Sequence, residues 1–383
     1  MHMTDRDYME RAIALARKGL GRTNPNPLVG AVIVKDGRII GEGWHDHCGG
    51  LHAERSAIAS LTESAEGSTL YVTLEPCCHW GRTPPCTDAI LEQKIGRVVI
   101  GSRDPNPKVS GKGAALLRSA GVQVEEDFLR KECDSLNPVF FHYITTQTPY
   151  VIMKYAMTAD GKIATRTGAS KWITGEAARQ KVQELRQICP GIMAGIGTVL
   201  ADDPLLTVRE ENARSPVRII CDSRLRIPPD CRICRTAEQY PTILACAAGA
   251  EKDDPAMARR RQQLERRGLR ILETPARDGH IDLNALMRLL GAEGIDAILL
   301  EGGGTLNESA LRSGIVQELQ VFVAPKIFGG NGKSPVEGEG VALPSEALGL
   351  ELRGISNIGG DLLLRYQIRS RSAGKEALCS QES

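Results

Sequence analysis

Short apolar runs rich in β-branched residues alternate with helical patterns along nearly the whole chain, and a chain written this way folds into sheets with helices on their faces. The opening helix is marked by Met9, Ala12, Ile13, Ala16 and Leu20, spaced for one helical face, behind Thr4 and Asp5, which can satisfy free helix-terminal amides. Residues 28–34 and 38–44 predict two strands joined through Asp36-Gly37, a dipeptide that tolerates the positive φ of a tight hairpin. A helix over 52–61, a strand over 69–74, a helix over 87–93, a strand over 97–101, a helix over 114–120 and a strand over 122–125 follow. A helix over 128–141 closes this series. The polar stretch Thr145-Thr146-Gln147-Thr148-Pro149 then interrupts the pattern, ending in a residue that disfavours helix.

Alternation resumes with strands predicted over 150–156, 191–195, 217–222, 242–245, 297–300 and 318–324, and helices over 176–187, 256–267, 283–292 and 306–313. The chain has 383 residues, more than the roughly 250–300 over which one hydrophobic core keeps growing. Two α/β domains are expected, over 1–146 and 149–370, with a polar tail over 371–383.

Forty-eight Lys and Arg stand against 47 Asp and Glu, with no block of like charge that would track a phosphate backbone, so a nucleic-acid partner is not expected. The amino-terminal residues carry charges rather than an apolar core, and no run approaches the ~18 apolar residues of a membrane span. A cytoplasmic location without a membrane partner follows as the expectation. Eleven cysteines in that compartment suggest reduced thiols, some of them free for metal binding or catalysis.

His52-Ala53-Glu54 opens the second predicted helix, while Pro76-Cys77 and Pro85-Cys86 follow the strand over 69–74. One imidazole and two thiolates leave a tetrahedral Zn²⁺ with an open position for water, the arrangement of a catalytic site. Glu54, two residues after His52, can move a proton without ligating the metal. H-x-E paired with P-C is how zinc nucleobase deaminases are built, although their usual P-C-x-x-C is absent here and eight residues separate Cys77 from Cys86.

The run Thr73-Leu74-Glu75-Pro76-Cys77-Cys78-His79-Trp80-Gly81-Arg82-Thr83-Pro84-Pro85-Cys86 closely resembles the bifunctional riboflavin-pathway deaminase-reductases, in which the longer spacing is normal. The resemblance implies a cytidine-deaminase-like three-layer domain, with Cys77 and Cys86 rather than Cys78 as ligands beside His52. It also implies that Asn26, His45, His79 and Arg82 contact a phosphoribosyl pyrimidine, and the fork of Arg82 suits its phosphate.

In the second half no G-x-G-x-x-G follows an early strand, which argues against a Rossmann dinucleotide site. Glu301-Gly302-Gly303-Gly304-Thr305, between a strand and a helix, instead offers glycine amides to a phosphate. The segments 154–164, 171–174 and 195–204 match in order the reductase half of the same family, so the resemblance runs from about Asp5 to Arg369. Ala159 stands where the family more often has Leu.

The resemblance implies a dihydrofolate-reductase-like α/β domain that uses NADPH to reduce a ribosyl group to ribityl. Ala156, Trp172, Thr198, Asp202, Ser223, Gly303, Gly304 and Thr305 would carry the cofactor. Lys154, Ser170, Arg186, Leu206, Arg209 and Glu301 would line the substrate, with the two arginines placed to hold its phosphate. Cys231 and Cys234 lack a second pair or a thioredoxin-like context and read as an accident of a loop. A homo-oligomer is expected. The alternative weighed against this whole reading is a zinc deaminase of another nucleotide, with a non-catalytic nucleotide-binding second domain.

Overall fold

The computed structural model describes residues 3–80, 84–106, 109–210, 213–249, 255–277 and 279–369, and divides the chain between Gln147 and Thr148. Arg82 and the tail over 371–383 lie outside the described residues. In the first unit, helix α1 (Asp5–Ala16) starts at Thr4, whose hydroxyl accepts from the Asp7 amide while the Asp7 carboxylate accepts from the Thr4 amide at 2.7 Å. Strands β1 (Gly30–Lys35) and β2 (Arg38–Trp44), helix α2 (Ala53–Ala59), strand β3 (Thr69–Leu74), helix α3 (Cys86–Glu92) and strand β4 (Arg97–Ser102) follow. Helix α4 (Lys112–Ser119), strand β5 (Gln123–Glu125) and helices α5 (Arg130–Asp134) and α6 (Pro138–Thr146) complete the unit.

Its sheet has the order β2-β1-β3-β4-β5, with β1 antiparallel to both neighbours and the other four strands pointing one way. Strand alternation sends Ala31, Ile33, Leu70, Val72, Val98 and Ile100 to a core shared with α2, α3 and α4. Val32, Val34, Tyr71 and Val99 face a second core with α1 and Cys133 of α5. The central strands β1, β3 and β4 are therefore covered on both sides, giving the three layers the resemblance implied.

The helix expected over 128–141 is instead two helices. Asn137, 3% exposed, turns its side-chain amide onto Leu28, accepting from its N–H at 2.7 Å and donating to its carbonyl at 2.9 Å. Pro138, which has no N–H to give, then starts α6. A long-range polar clasp of this kind leaves no periodic signal in a sequence.

The second unit begins with β6 (Tyr150–Thr158), then α7 (Glu176–Ile188), β7 (Gly191–Gly195), α8 (Ile196–Asp202), β8 (Val217–Cys221), α9 (Arg232–Arg235), β9 (Thr242–Ala247), α10 (Pro255–Glu265) and β10 (Arg270–Thr274). Next come the short ladder β11 (Ala276–Arg277) and β12 (His280–Ile281), α11 (Leu283–Ala292), β13 (Ala297–Leu300), α12 (Gly304–Arg312) and β14 (Val316–Ala324). The hairpin β15 (Leu350–Ile358) and β16 (Asp361–Ile368) closes the chain's described part. The sheet order is β10-β9-β8-β7-β13-β6-β14-β16-β15, parallel as far as β14 and antiparallel through the hairpin. This is the α/β architecture expected of the reductase half.

Val151, Met193, Ile219, Ile298 and Leu300 pack under α11 and α12, while Ile192, Ala194, Ile220 and Leu244 pack on the opposite face with Ile196, Ile233 and Leu264 of α8, α9 and α10. Strands β10, β15 and β16 and helices α8 and α9 carry no expectation above. The hairpin is half polar, and the two helices are too short for periodicity to show. Cys231 and Cys234, expected in a loop, instead bracket the start of α9 and are buried in this second core.

Asn137→Ala should leave two buried backbone groups of Leu28 unpaired, a loss of about 2 kcal/mol or more. The expected result is a lower urea midpoint for the first unit together with faster hydrogen exchange at the Leu28 amide. Unchanged exchange there would show that the clasp does not hold this junction.

Candidate active sites

Because β2, β3 and β4 point the same way, their carboxyl ends share one edge of the first sheet, and the chain enters β1 at that same edge. Three functional segments thus meet there. His52 is the N-cap of α2, with φ −67° and ψ 157°, so its side chain projects from the helix start. Cys77 lies in the loop after β3, and Cys86 is the first residue of α3.

Their ligand atoms all lie within 4.8 Å of one another. His52 Nδ1 is 3.5 Å from Cys77 Sγ and 3.4 Å from Cys86 Sγ. Cys78 is not part of the cluster, and no fourth His, Cys, Asp or Glu joins it among the described residues. The donor set, two sulfurs and one imidazole nitrogen around a common point, is that of a zinc site with an open position.

Close backbone packing makes this convergence possible. A Cβ on Gly43 of β2 would lie 2.2 Å from the Ala57 nitrogen, so only glycine lets α2 sit this near the sheet. Gly113 likewise permits α4 to approach the Pro76 carbonyl, which a Cβ there would meet at 2.2 Å. Two side chains not singled out from the sequence complete the frame. Glu75, buried, accepts from the Gly111 and Ala114 amides at 2.9 and 3.2 Å and fixes the start of the cysteine loop. Arg55 donates to the carbonyls of Pro84 and Pro85 at 3.2 and 2.9 Å and fixes its end. Their adjacency to the H-x-E and P-C motifs was the available signal.

Glu54 is buried on the first turn of α2, and burial pushes its carboxyl above the usual range. The Cys77 thiol is drawn down, by hydrogen bonding with Cys86 and then with His52. His52 is raised by its hydrogen bond with Cys77.

Asn26 and His45 also meet at this edge. His45 is buried, which holds its imidazole below the ordinary value and neutral. Nδ1 must donate to the Leu51 carbonyl at 2.9 Å, which leaves Nε2 to accept from the Asn26 amide nitrogen at 3.1 Å. The His45 ring stands edge-on to His52, with centroids 5.6 Å apart. Nδ1 of His79 is buried without a hydrogen-bond partner, an orphaned polar atom in the cysteine loop.

In the second unit a cavity of 680 Å³ opens at the carboxyl edge of the parallel strands. Ser170, Thr198, Asp202, Ser223 and the turn from Gly302 to Thr305 all line it. Helix α12 starts at Gly304 with Gly303 as its N-cap, earlier than the 306 expected, so the amides of its first turn face this space.

Glu301 at the end of β13 forms a buried ion-pair cluster. Arg186 of α7 donates to both its carboxylate oxygens at 2.7 and 3.2 Å, and Lys154 Nζ of β6 lies 3.7 Å away. Burial alone would raise the Glu301 carboxyl, but the charges of Arg186 and Lys154 outweigh it and hold it to about 2. Arg186 also donates to the Thr207 carbonyl at 2.9 Å, next to Leu206, whose φ is +55°. Lys154, Arg186, Leu206 and Glu301 therefore come together, whereas Arg209 is exposed, its amide donating to Gln183 at 3.0 Å. Trp172 is half exposed with the Arg179 guanidinium 4.6 Å from its ring, and Ala156 lies on β6.

Comparison with known proteins matches both units to known families. Residues 2–102 match the cytidine and deoxycytidylate deaminase zinc-binding region, and residues 149–364 match the RibD C-terminal domain. The riboflavin biosynthesis protein RibD of Actinobacillus pleuropneumoniae is 54% identical over 369 residues, covering 96% of each chain. Among solved structures, Acinetobacter baumannii RibD superposes with a TM-score of 0.83 at 37% identity, over 96% of this chain and 99% of that one. The Thermotoga maritima diaminohydroxyphosphoribosylaminopyrimidine deaminase/5-amino-6-(5-phosphoribosylamino)uracil reductase superposes at 0.81 with 39% identity, over 94% and 98%. The chain belongs to the RibD family of riboflavin biosynthesis, whose members join a zinc deaminase to a reductase.

Proposed function

We propose that the first unit hydrolytically deaminates 2,5-diamino-6-(5-phosphoribosylamino)pyrimidin-4(3H)-one, and that the second reduces the ribosyl side chain of the product, 5-amino-6-(5-phosphoribosylamino)uracil, to ribityl with NADPH. The observation that carries this reading is the convergence of His52, Cys77 and Cys86 beside the buried Glu54 carboxyl. The alternative, a non-catalytic second domain, is not favoured, because that domain matches the reductase family along 149–364.

His52, Cys77 and Cys86 would hold zinc, which when bound supplies Lewis acidity and makes hydroxide available near neutral pH. Glu54 is positioned to take a proton from water and to return it to the ring nitrogen and the departing amine, and its raised basicity suits both transfers. His45, kept neutral, orients the Asn26 amide toward the pyrimidine, and His79 supplies its unpaired nitrogen to the same ligand. Arg82 belongs to this reading as a phosphate contact.

In the second unit the α12 amides suit the cofactor's pyrophosphate, and Thr198, Asp202, Ser223, Gly303, Gly304 and Thr305 of the cavity lining, together with Ala156 and Trp172, would contact the cofactor. NADPH when bound supplies the hydride. Lys154, Ser170, Arg186, Leu206, Arg209 and Glu301 orient the ribosyl group, with Glu301 keeping two cations in place. The near-neutral charge supports a small-molecule substrate and no nucleic acid, and a cytoplasmic location belongs to the same reading. No helix among the described residues is long and apolar enough to cross a membrane. Leu352, Ile355 and Leu362, exposed on the β15–β16 hairpin at the sheet edge, support a homo-oligomer.

Glu54→Gln should reduce ammonia release by at least about a hundredfold while zinc content and ribosyl reduction of supplied uracil product persist. Ammonia release near the wild-type rate would remove Glu54 from its role. Glu301→Gln should leave Arg186 and Lys154 buried without their carboxylate, costing about 3–5 kcal/mol near neutral pH. Because folding lowers the Glu301 pKa to about 2 from 4.5, its stabilisation is present above about pH 4.5 and is lost toward pH 2. The difference in thermal unfolding between wild type and variant should therefore shrink as pH falls through that window. A pH-independent difference would argue against the ion-pair account.

A further inference from the structure

The segment that follows β14 carries a charged side chain that no assignment above uses. From Pro325 to Leu343 the chain has no helix or strand of its own, so its path is set by what it grips. Toward its far end it meets the α12 turn. There the Glu337 amide donates to the Gly304 carbonyl at 3.1 Å, and the buried Asn307 side chain donates to the Pro335 carbonyl at 2.8 Å. Toward its start it meets the segment after β6, which carries Ser170 and Trp172. The Lys326 carbonyl accepts from the Ala159 amide at 2.8 Å. The Asp160 carboxylate accepts from the Phe328 and Gly329 amides at 3.1 and 2.8 Å and from the Thr158 hydroxyl at 2.6 Å.

From this fixed base, Lys326 Nζ donates to two consecutive carbonyls, that of Trp172 at 3.0 Å and that of Ile173 at 2.7 Å. Arg179 takes the next, donating to the Thr174 carbonyl at 2.7 Å with its guanidinium 4.6 Å from the Trp172 ring. The Gly175 amide then donates to the buried Asp361 carboxylate at 2.7 Å. Three successive carbonyls and the amide after them are thus held by charged side chains, in a stretch between β6 and α7 that has no sheet or helix to hold it. An exposed lysine ordinarily keeps its rotamer freedom in water, and Lys326 gives it up for two backbone acceptors.

Backbone without ladder partners samples several conformations, and a ligand that binds only one of them loses affinity in proportion to that one's population. The grip of Lys326 favours the form in which Ser170 lines the cavity and the Trp172 indole is half exposed beside Arg179. We propose that Lys326 is a positioning residue of the reductase, which holds the Trp172 segment in the form that receives the cofactor. The proposal rests on the cofactor reading of this unit. Lys326 acts through Trp172 and takes no part in the hydride transfer.

The test measures NADPH dissociation constants by calorimetry and steady-state reduction of the uracil substrate, both on the full-length protein. Wild type is compared with Lys326→Met, Lys326→Arg, Trp172→Ala and the variant that combines Lys326→Met with Trp172→Ala. Lys326 is exposed, so none of its replacements opens a cavity in a core. Lys326→Met keeps the length but has no donor. It should weaken NADPH about tenfold and raise its KM in step, with kcat at saturating NADPH within about threefold of wild type. Lys326→Arg, which keeps charged donors, should recover binding to within about threefold of wild type. In the Trp172→Ala background, Lys326→Met should weaken NADPH by less than about twofold more, because the group it positions is already gone. Wild-type affinity in Lys326→Met or in Trp172→Ala, a fall in kcat with KM unchanged, or full additivity of the two changes would overturn the proposal. No recovery in Lys326→Arg would overturn it by showing that donation is not what Lys326 supplies. Wild-type protein that binds no NADPH would overturn the cofactor reading, and the positioning role with it.

Discussion

Both sites depend on one constraint, that strands running the same way deliver their following loops to a common edge. In the first sheet β2, β3 and β4 do so despite the antiparallel β1 between the first two, and His52 and Cys77 arrive at the same place from segments 25 residues apart. In the second sheet β8, β7, β13 and β6 are parallel neighbours, and their exits supply Ser223, Thr198, Gly303 and the segment beyond Thr158. Carboxyl ends of such strands are where ligands bind in open α/β sheets, since helix starts and free amides collect there. The chemistry of each unit is grafted onto that edge.

What holds the groups at the edge differs between the units. Around the metal ligands the frame is largely backbone: glycines that admit helices at near contact, a carboxylate capping α4 and an arginine on two proline carbonyls. Around Glu301 the frame is charge. Two cations and one anion are buried together, an arrangement costly to desolvate but strongly oriented once formed, because each donor has a fixed acceptor. Arg218 shows that a buried cation can be held by neutral acceptors, without a carboxylate partner. Fully enclosed in β8, it donates to the hydroxyls of Thr236 and Thr242 and to the carbonyls of Leu205, Ile233 and Tyr240. Burial pulls its pKa to about 10.

Much of the scaffold was legible in periodicity. The strand over 69–74, the helix over 283–292 and the strand over 297–300 are found with the bounds expected, because each is a continuous apolar or strongly amphipathic run. The break at Asn137 was not, since its cause is a partner 109 positions away. Nor was the hairpin of β15 and β16, where Glu351, Arg353, Ser356 and Asn357 dilute the apolar pattern of an edge pair. Nothing in the sequence around Arg186 points to a buried carboxylate partner, and only the approach of β13 to α7 puts Glu301 beside it.

The order of residue types along the chain determined by itself the two-unit plan and a metal-binding set of one histidine and nearby cysteines with a carboxyl beside them, because metal chemistry selects side chains by kind; the choice of Cys77 and Cys86 over Cys78 came from the family resemblance. The tertiary structure alone decided which atoms meet. It placed Cys78 outside the cluster, enclosed Glu54 and brought the Lys326 ammonium to the carbonyls of Trp172 and Ile173. The physical reason is that donor identity is local to a residue, whereas burial and pairing are properties of strands and helices brought together from distant parts of the chain.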